Sequence, residues 1–436
     1  LGITRLPTTS YLQDQPPILS NTSISLPTMA KHISENYAAF QGSIYLGGMF
    51  ANELPTVTTD PNKLEAQAKS KLSERSYAYV AGGAGERTTM EANRLAFREW
   101  RIVPRMMRDC SERDVSVNLF GVQYPTPILL APVGVQSLFH EDAETGMAEI
   151  AAELNVPLVM STASTRTIEE VAEANGEGPR WYQLYWPQTD EITLSILGRA
   201  KSNGFTALVV TLDTFSLAWR PWDLDLGHLP FVKGVGNRVG LSDPVFRRIF
   251  KENTGKEVEE DIVAASVAWQ MDAFAGKSHV WEKLKFLREN WEGPIILKGI
   301  QSVDDAILAR DSGAVNGIIV SNHGGRQLDG AIGSLSVLSE IVDAVGQDLT
   351  ILFDSGIRTG TDIIKALALG AKAVLIGRPW IYGLGIGGKE GAKQVIQGIL
   401  ADFDQSMLLA GFCSNSELNP TILKRVHYNW GPVSAL

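Results

Sequence analysis

Cysteine is nearly missing from this chain. Its 436 residues hold two, Cys110 and Cys413, far apart and in no metal-ligand spacing. That excludes a disulfide framework and a cysteine-built zinc site, and it makes a reducing, cytoplasmic compartment the expected one. No metal site is expected from any other cluster either. Long apolar runs are also lacking: none approaches the roughly 18 residues of a membrane span, so a soluble protein without a membrane partner is expected. Positive charge is in deficit, with 39 Lys and Arg against 49 Asp and Glu for a net charge of −10. Such a surface repels nucleic acid, and any anionic ligand must be held by a local cluster of cations. The opening "LGITRLPTTSYLQDQPPILSNTSISLPT" lacks the basic start and apolar segment of a secretory signal, and residues 1–60 read as an arm without a core of its own. The closing "SAL" is close to the peroxisomal address "SKL" but lacks its basic residue.

What the sequence does have is a repeat. From Pro127 onward, eight short runs rich in Leu, Ile and Val each precede a helical stretch: "PILLAP", "VPLVMS", "WYQLYW", "ALVVTLD", "PIILKG", "GIIVSN", "TILFDS" and "AVLIGR". Near-continuous apolar strands alternating with amphipathic helices signal parallel βα units, and eight of them predict an α/β fold, a closed (β/α)₈ TIM barrel spanning residues 61–436. Between the fourth and fifth runs lies an insertion, about 214–280, far longer than the few residues of an ordinary βα connection. Its aromatic start, with Trp219, Trp222 and Phe231, predicts an ordered lid or subunit contact.

In such barrels the chemistry sits just past the strand ends. The third run ends in Gln183 and Tyr185, the fourth in Thr211 and Asp213, and the fifth in Lys298. The sixth ends in "SNHGGRQ", with Ser321, His323 and Arg326, the seventh in Asp354 and Arg358, and the eighth in Gly377 and Arg378. One ring thus holds a potential base, an acid to orient it and several fixed cations. The arginines of "DSGIRTG" and "GRPW" fall where barrels commonly bind phosphate. A competing signal, "GLGIGG" with Gly383, Gly385 and Gly388, matches the spacing of a dinucleotide fingerprint. It lacks the second strand and the ribose-binding acid about 20 residues on, since the following residues read as one helix. Nicotinamide binding is rejected. The remaining histidines, His32, His140, His228, His279 and His427, read as surface or packing residues, with His228 a candidate member of a mobile lid.

With "SNHGGRQ", "QLYW", "TLDT", "ILKGI", "FDSGIRTGTD" and "IGRP" in this order, the chain resembles the FMN-dependent 2-hydroxy-acid oxidase and dehydrogenase family from about Leu64 to near its end. Within it, "APVGV", "WRPWDL", "LPFVKG" and "DPVF" resemble the lactate 2-monooxygenase branch. The resemblance implies FMN as cofactor, an L-2-hydroxy acid as substrate, oxygen as acceptor and a homotetramer or homo-octamer. It implies His323 as base with Asp213 stabilising its charged form. Arg220 and Arg326 would clamp the carboxylate, and Tyr79 and Tyr185 would bind the carboxylate and the hydroxyl. Lys298 would face the flavin edge where negative charge grows, and Ala131, Pro132, Val133 and Gly134 would lie beside the ring. Ser161, Gln183, Thr211 and Ser321 would bond the ring or ribityl chain, while Asp354, Ser355, Gly356, Arg358, Gly377 and Arg378 would hold the ribityl and phosphate end.

Two positions bear on the outcome of the reaction. Gly134 stands where the family's oxidases carry alanine; the missing methyl is expected to leave room by the ring edge, keeping keto acid and peroxide together for oxidative decarboxylation. Ala163 replaces a bulkier pocket residue, so a longer or aromatic 2-hydroxy acid is expected to fit. The alternatives are an oxidase that releases 2-keto acid and hydrogen peroxide, and a dehydrogenase with another electron acceptor.

Overall fold

The structure, a computed structural model, describes residues 36–426. His32, His427, the closing "SAL" and most of the arm lie outside the described residues. Eight parallel strands close into the expected barrel: β1 (Ile128–Leu130), β2 (Leu158–Ser161), β3 (Arg180–Leu184), β4 (Leu208–Thr211), β5 (Ile295–Ile300), β6 (Gly317–Val320), β7 (Thr350–Phe353) and β8 (Ala373–Ile376). β8 pairs with β1 through Val374–Ile128, Leu375–Leu129 and Ile376–Leu130, which closes the ring. The outer helices are α1 (Ala143–Glu153), α2 (Ile168–Asn175), α3 (Asp190–Ser202), α4 (Leu284–Asn290), α5 (Val303–Asp311), α6 (Ser334–Val345), α7 (Gly360–Ala368) and α8 (Arg378–Ala410).

Strand alternation explains how the site is built. Each strand sends an apolar residue to a shared inner cluster: Leu129, Val159, Trp181, Val209, Ile296, Ile319, Leu352 and Leu375. The neighbours of these residues, such as Ile128, Leu130, Val320 and Phe353, pack outward against the helices. Two residues further along each strand the chain points inward again, at the C-terminal mouth. Those positions are Ala131, Ser161, Gln183, Thr211, Lys298, Ser321, Asp354 and Gly377. Below the apolar layer a hairpin, Val117–Leu119 with Val122–Tyr124, plugs the other end, and the Trp181 indole donates to Tyr124 at 3.3 Å. The barrel is therefore closed at the bottom by packing and open at the top to chemistry.

The insertion is ordered into short helices, among them Pro244–Thr254 and Ile262–Ala273, with Phe246, Phe250 and Trp269 buried. That burial keeps it from being a solvated spacer. α8 carries "GLGIGG" inside a helix that breaks at Gly387 and Gly388, and the strand that follows it among the described residues, Leu423–Arg425, pairs antiparallel with Trp100–Ile102 and so completes no dinucleotide unit. Asp402 and Asp404, the acids downstream of this glycine stretch, lie in that helix and not at the end of a second strand. In the arm, helix Ala39–Leu46 buries none of its residues. Cys110 and Cys413 meet as free thiols, their sulfurs 2.6 Å apart. No helix among the described residues is long and apolar enough to cross a membrane, and no cluster among them could hold a metal ion.

Candidate active site

The mouth holds a cavity of about 1060 Å³, its opening included, at the upper end of the size of cofactor and ligand sites. His323 reaches it from the turn after β6. Its backbone sits in the left-handed region at φ 58°, followed by Gly324 at 65° and Gly325 at 72°. Three successive left-handed residues suit glycine and are strained for histidine. The turn is pinned from outside: Ser355 Oγ accepts from the Asn322 and Gly324 amides at 3.3 and 3.0 Å, and donates to Asp354 at 2.7 Å.

The imidazole has a fixed orientation. Its Nδ1 lies 2.7 Å from Asp213 Oδ1, and the Thr214 hydroxyl lies 2.9 Å from the same oxygen and 3.1 Å from Nδ1. Nδ1 donating to the carboxylate leaves Nε2 as the free basic nitrogen. Burial pushes the His323 pKa below the ordinary imidazole value, more than Asp213 raises it, so the ring is neutral at neutral pH. For Asp213, burial opposes ionisation, but the charges of His323 and Lys298 outweigh it and hold the carboxyl down at about 2. A neutral base backed by a fixed negative charge is the form that accepts a proton readily.

Cations surround the same space. Arg220, Arg326, Arg358 and Arg378 all line the cavity, and none forms an ion pair among the described residues. Burial and the neighbouring Arg326 push Arg220 down to about 10, and burial pushes Arg378 down to about 9. Both remain charged at neutral pH. They are steered by backbone carbonyls. Helix Glu74–Ala81 ends at Gly82, whose carbonyl accepts from Arg326 at 3.2 Å and from Arg378 at 3.0 Å, so the negative end of a helix holds two guanidinium groups. Arg326 also stacks over the Tyr79 ring at 4.9 Å. Gln327 accepts from Arg220 at 2.6 Å and donates to the Asp213 carbonyl at 3.0 Å, tying the insertion to the signature turn.

Lys298 lies on the wall with its Nζ 3.0 Å from Ser321 Oγ and 3.3 Å from Asp354. Burial disfavours its charge, but Asp354 and Asp213 outweigh that and raise its pKa. Ser161, Gln183 and Thr211 lie off the cavity wall and bond one another instead: Ser161 to Gln183 at 3.1 Å and Gln183 to Thr211 at 2.8 Å. They form a polar layer under the cavity. Ala131, Pro132, Val133, Gly134, Ser355, Gly356 and Gly377 do line it, as do Tyr79, Ala163 and Tyr185.

Gly134 departs from expectation. A Cβ built there would lie 2.4 Å from the Ala163 carbonyl and 2.7 Å from its Cβ. The space of the missing methyl is thus filled by Ala163, so the glycine permits close packing of two loops and leaves no extra room at a ring edge. The structure also adds wall residues that the strand-end reading did not reach: Phe139, Thr214, Leu217 and Phe274, with Phe231. Phe274 packs on Tyr185 with centroids 4.8 Å apart and on Phe231 at 6.1 Å. No local motif marks Phe274. Of the other histidines, His228 stands edge-on to Tyr79 at 6.4 Å, and His279 stacks on Trp186.

Five cations around a cavity with one ion-paired lysine are an apt donor set for a phosphate together with a carboxylate. The residues therefore fit a flavin mononucleotide and an organic acid side by side. Comparisons agree. The model of the family described as FMN-dependent dehydrogenase matches residues 68–425. An FMN-dependent alpha-hydroxy acid dehydrogenase, qulF of Penicillium citrinum, is 56% identical over 90% of this chain and 97% of its own length. An L-lactate oxidase of Lysinibacillus sphaericus is 42% identical over 80% of this chain and 89% of its own. The crystal structure of a mandelate oxidase, 33% identical, superposes with a TM-score of 0.72 over 84% of this chain and 98% of that one.

Proposed function

Because the chain belongs to the FMN-dependent dehydrogenase family and is an FMN-dependent alpha-hydroxy-acid oxidoreductase, we propose that it oxidises an L-2-hydroxy acid with an apolar side chain larger than methyl, uses oxygen as acceptor, and releases the 2-keto acid and hydrogen peroxide. The observation that carries this reading is that one cavity is lined both by five cations, Lys298, Arg220, Arg326, Arg358 and Arg378, and by the apolar side chains of Phe139, Leu217, Phe231 and Phe274, with His323 on the same wall.

Arg326 and Arg220 hold the substrate carboxylate, a task suited to planar guanidinium forks. Tyr185, whose hydroxyl burial keeps protonated, offers a hydrogen bond to the carboxylate or the 2-hydroxyl together with Tyr79. His323 Nε2 takes a proton from the substrate, and Asp213 stabilises the imidazolium that forms. Arg358 and Arg378 would hold the phosphate of the cofactor, and Lys298 would offer a fixed positive charge to the edge of its ring system. Bound FMN supplies the two-electron acceptor for C2 and the means to pass those electrons to oxygen. The side chain of the acid lies against Ala163, Phe139, Phe231 and Phe274. These surfaces favour an aryl or branched alkyl group over the methyl of lactate. The name mandelate oxidase among the related structures supports an aryl group.

Oxidative decarboxylation loses its main argument, because Ala163 occupies the space that Gly134 was expected to free. The test is a product balance. Purified holoenzyme is given mandelate, 3-phenyllactate, 2-hydroxyisocaproate and lactate in air, and keto acid, peroxide and carbon dioxide are measured. Equal keto acid and peroxide, with lactate the poorest substrate, are expected. Carbon dioxide in place of peroxide restores the decarboxylating reading, and lactate as the best substrate removes the apolar-pocket argument. The dehydrogenase in the name of the Penicillium relative favours a second acceptor; slow reoxidation of the reduced flavin by air in stopped flow would support it.

A further inference from the structure

The turn that carries His323 has a second anchor besides Ser355, supplied by a helix that belongs neither to the barrel repeat nor to the insertion. Residues Thr88–Glu99 form this helix ahead of β1. Its first turn is docked on the loop that follows the signature turn. The Thr89 hydroxyl lies 3.1 and 3.0 Å from the Leu328 and Ala331 carbonyls, and Asp329 accepts from the Thr88 hydroxyl and the Thr89 amide at 2.8 and 3.1 Å. Gly333 permits this approach, since a Cβ there would lie 2.7 Å from the Ala92 carbonyl.

Next to Ala92 stands Asn93, 2% exposed, against Asn322, 5% exposed. Their side-chain amides pair in both directions: Asn93 Nδ2 donates to Asn322 Oδ1 at 2.9 Å, and Asn322 Nδ2 donates to Asn93 Oδ1 at 2.7 Å. Backbone groups decide which end of each amide is oxygen. The Ser334 amide donates to Asn93 Oδ1 at 3.1 Å, and the Ile332 carbonyl accepts from Asn322 Nδ2 at 3.0 Å. Asn322 Oδ1 is thereby turned to the Gly325 amide, from which it accepts at 3.1 Å. Reversing either amide would set donor against donor, at Ser334 or at Gly325.

The bond from Gly325 to Asn322 Oδ1 spans His323 and Gly324, both in the left-handed region. A non-glycine residue keeps such a backbone only where its surroundings over-determine it. Asn93 supplies part of that determination from 229 positions away in the chain. Its loss frees the Asn322 amide and lets the turn relax, which moves the imidazole. The carboxylate clamp has other anchors, because Arg326 is held by the Gly82 carbonyl and Arg220 by Gln327.

We propose that Asn93 is a positioning residue for the base: acting through the Asn322 amide, it fixes the His323 turn and with it the place of Nε2 against the substrate. The inference rests on the proposed function, which gives His323 its role.

The test is flavin reduction in stopped flow without oxygen, at saturating 2-hydroxy acid and per bound flavin. Wild type, Asn93→Ala, Asn322→Ala and the double variant are compared. Asn93→Ala should slow reduction about thirtyfold, within the roughly 10²-fold that a misplacement of about 1 Å costs, and leave KM for the acid nearly unchanged. The double variant should be no slower than Asn322→Ala, as expected of two residues acting through one contact. Asn93→Asp keeps the acceptor for Ser334 and loses the donor to Asn322; it decides the matter if Asn93→Ala does not fold. At about pH 8, where its carboxyl is ionised, it should slow reduction about tenfold, the worth of one hydrogen bond. A purely structural role would lower the melting temperature and leave reduction per flavin untouched. Unchanged reduction in the folded Asn93 variants, losses that multiply in the double variant, or a rise in KM alone would each overturn the proposal. A wild type whose flavin is bleached by no 2-hydroxy acid would instead sink the proposed function, and this inference with it.

Discussion

The strand ends and the insertion meet over one cavity with opposite chemistry. The strand ends bring Lys298, His323, Arg326, Arg358 and Arg378, each fixed to a backbone carbonyl, a neighbouring side chain or the closed barrel beneath. The insertion brings Leu217, Phe231 and Phe274, together with Arg220. On the proposed function, the contrast teaches that the base and most of the cations stand on a framework that cannot move without opening the barrel, whereas much of the apolar wall around the substrate side chain stands on a segment that can vary alone. Substitutions in the two regions should therefore fail in different ways.

The largest separation is expected at the base. His323→Asn should lower kcat by about 10³-fold, the usual worth of a positioned general base, with flavin content unchanged. A Phe274 variant that lost as much activity toward every acid would erase the distinction. Arg326→Lys should come next, lowering kcat/KM by about 10²-fold, because an ammonium cannot reproduce two fork contacts and leaves the carboxylate underbonded. Flavin absorbance at 450 nm or so, measured alongside, separates this loss from loss of cofactor.

On the insertion side, Phe274→Ala should change preference more than rate. The ratio of kcat/KM for an aryl acid to that for lactate should fall about tenfold, the scale on which an apolar pocket discriminates. kcat for lactate should hardly move. A uniform loss across all acids would mean that the insertion shapes the reacting geometry as well, and the comparison drawn above would fail.

The same split governs what can be read from the chain before folding. All eight barrel strands were legible, because an apolar run of four to six residues bounded by turn residues is a local pattern. Strand alternation then carries the polar layer with it: Gln183, Thr211, Lys298, Ser321 and Asp354 each follow an inward apolar residue by two. The pairing of His323 with Asp213 spans 110 positions and came through family resemblance, since no local rule connects them. Phe274 was illegible. It follows an alanine-rich helix and reaches Tyr185 only through the path of the insertion, which is set by tertiary packing. Gly134 failed for a related reason: the atoms that would crowd a Cβ there belong to Ala163, and the approach of two loops is invisible in either one.

The smallest effect joins the two regions. Burial is the main cause of the lowered pKa of His323, with Lys298 and Arg220 adding to it and Asp213 opposing. The proposed base works when neutral, so activity is retained as pH falls until it passes through that lowered value. The acid limb of kcat/KM should accordingly lie below about 6.5, the ordinary imidazole pKa. Phe274 and Leu217 line the same cavity as His323. Leu217→Ala combined with Phe274→Ala should admit water, relieve part of the burial penalty and move the limb upward by a few tenths of a pH unit, roughly the size of a partial change in solvation. A limb that stays in place would assign the lowered pKa to the charges of the strand ends and remove the insertion from the electrostatics of the base.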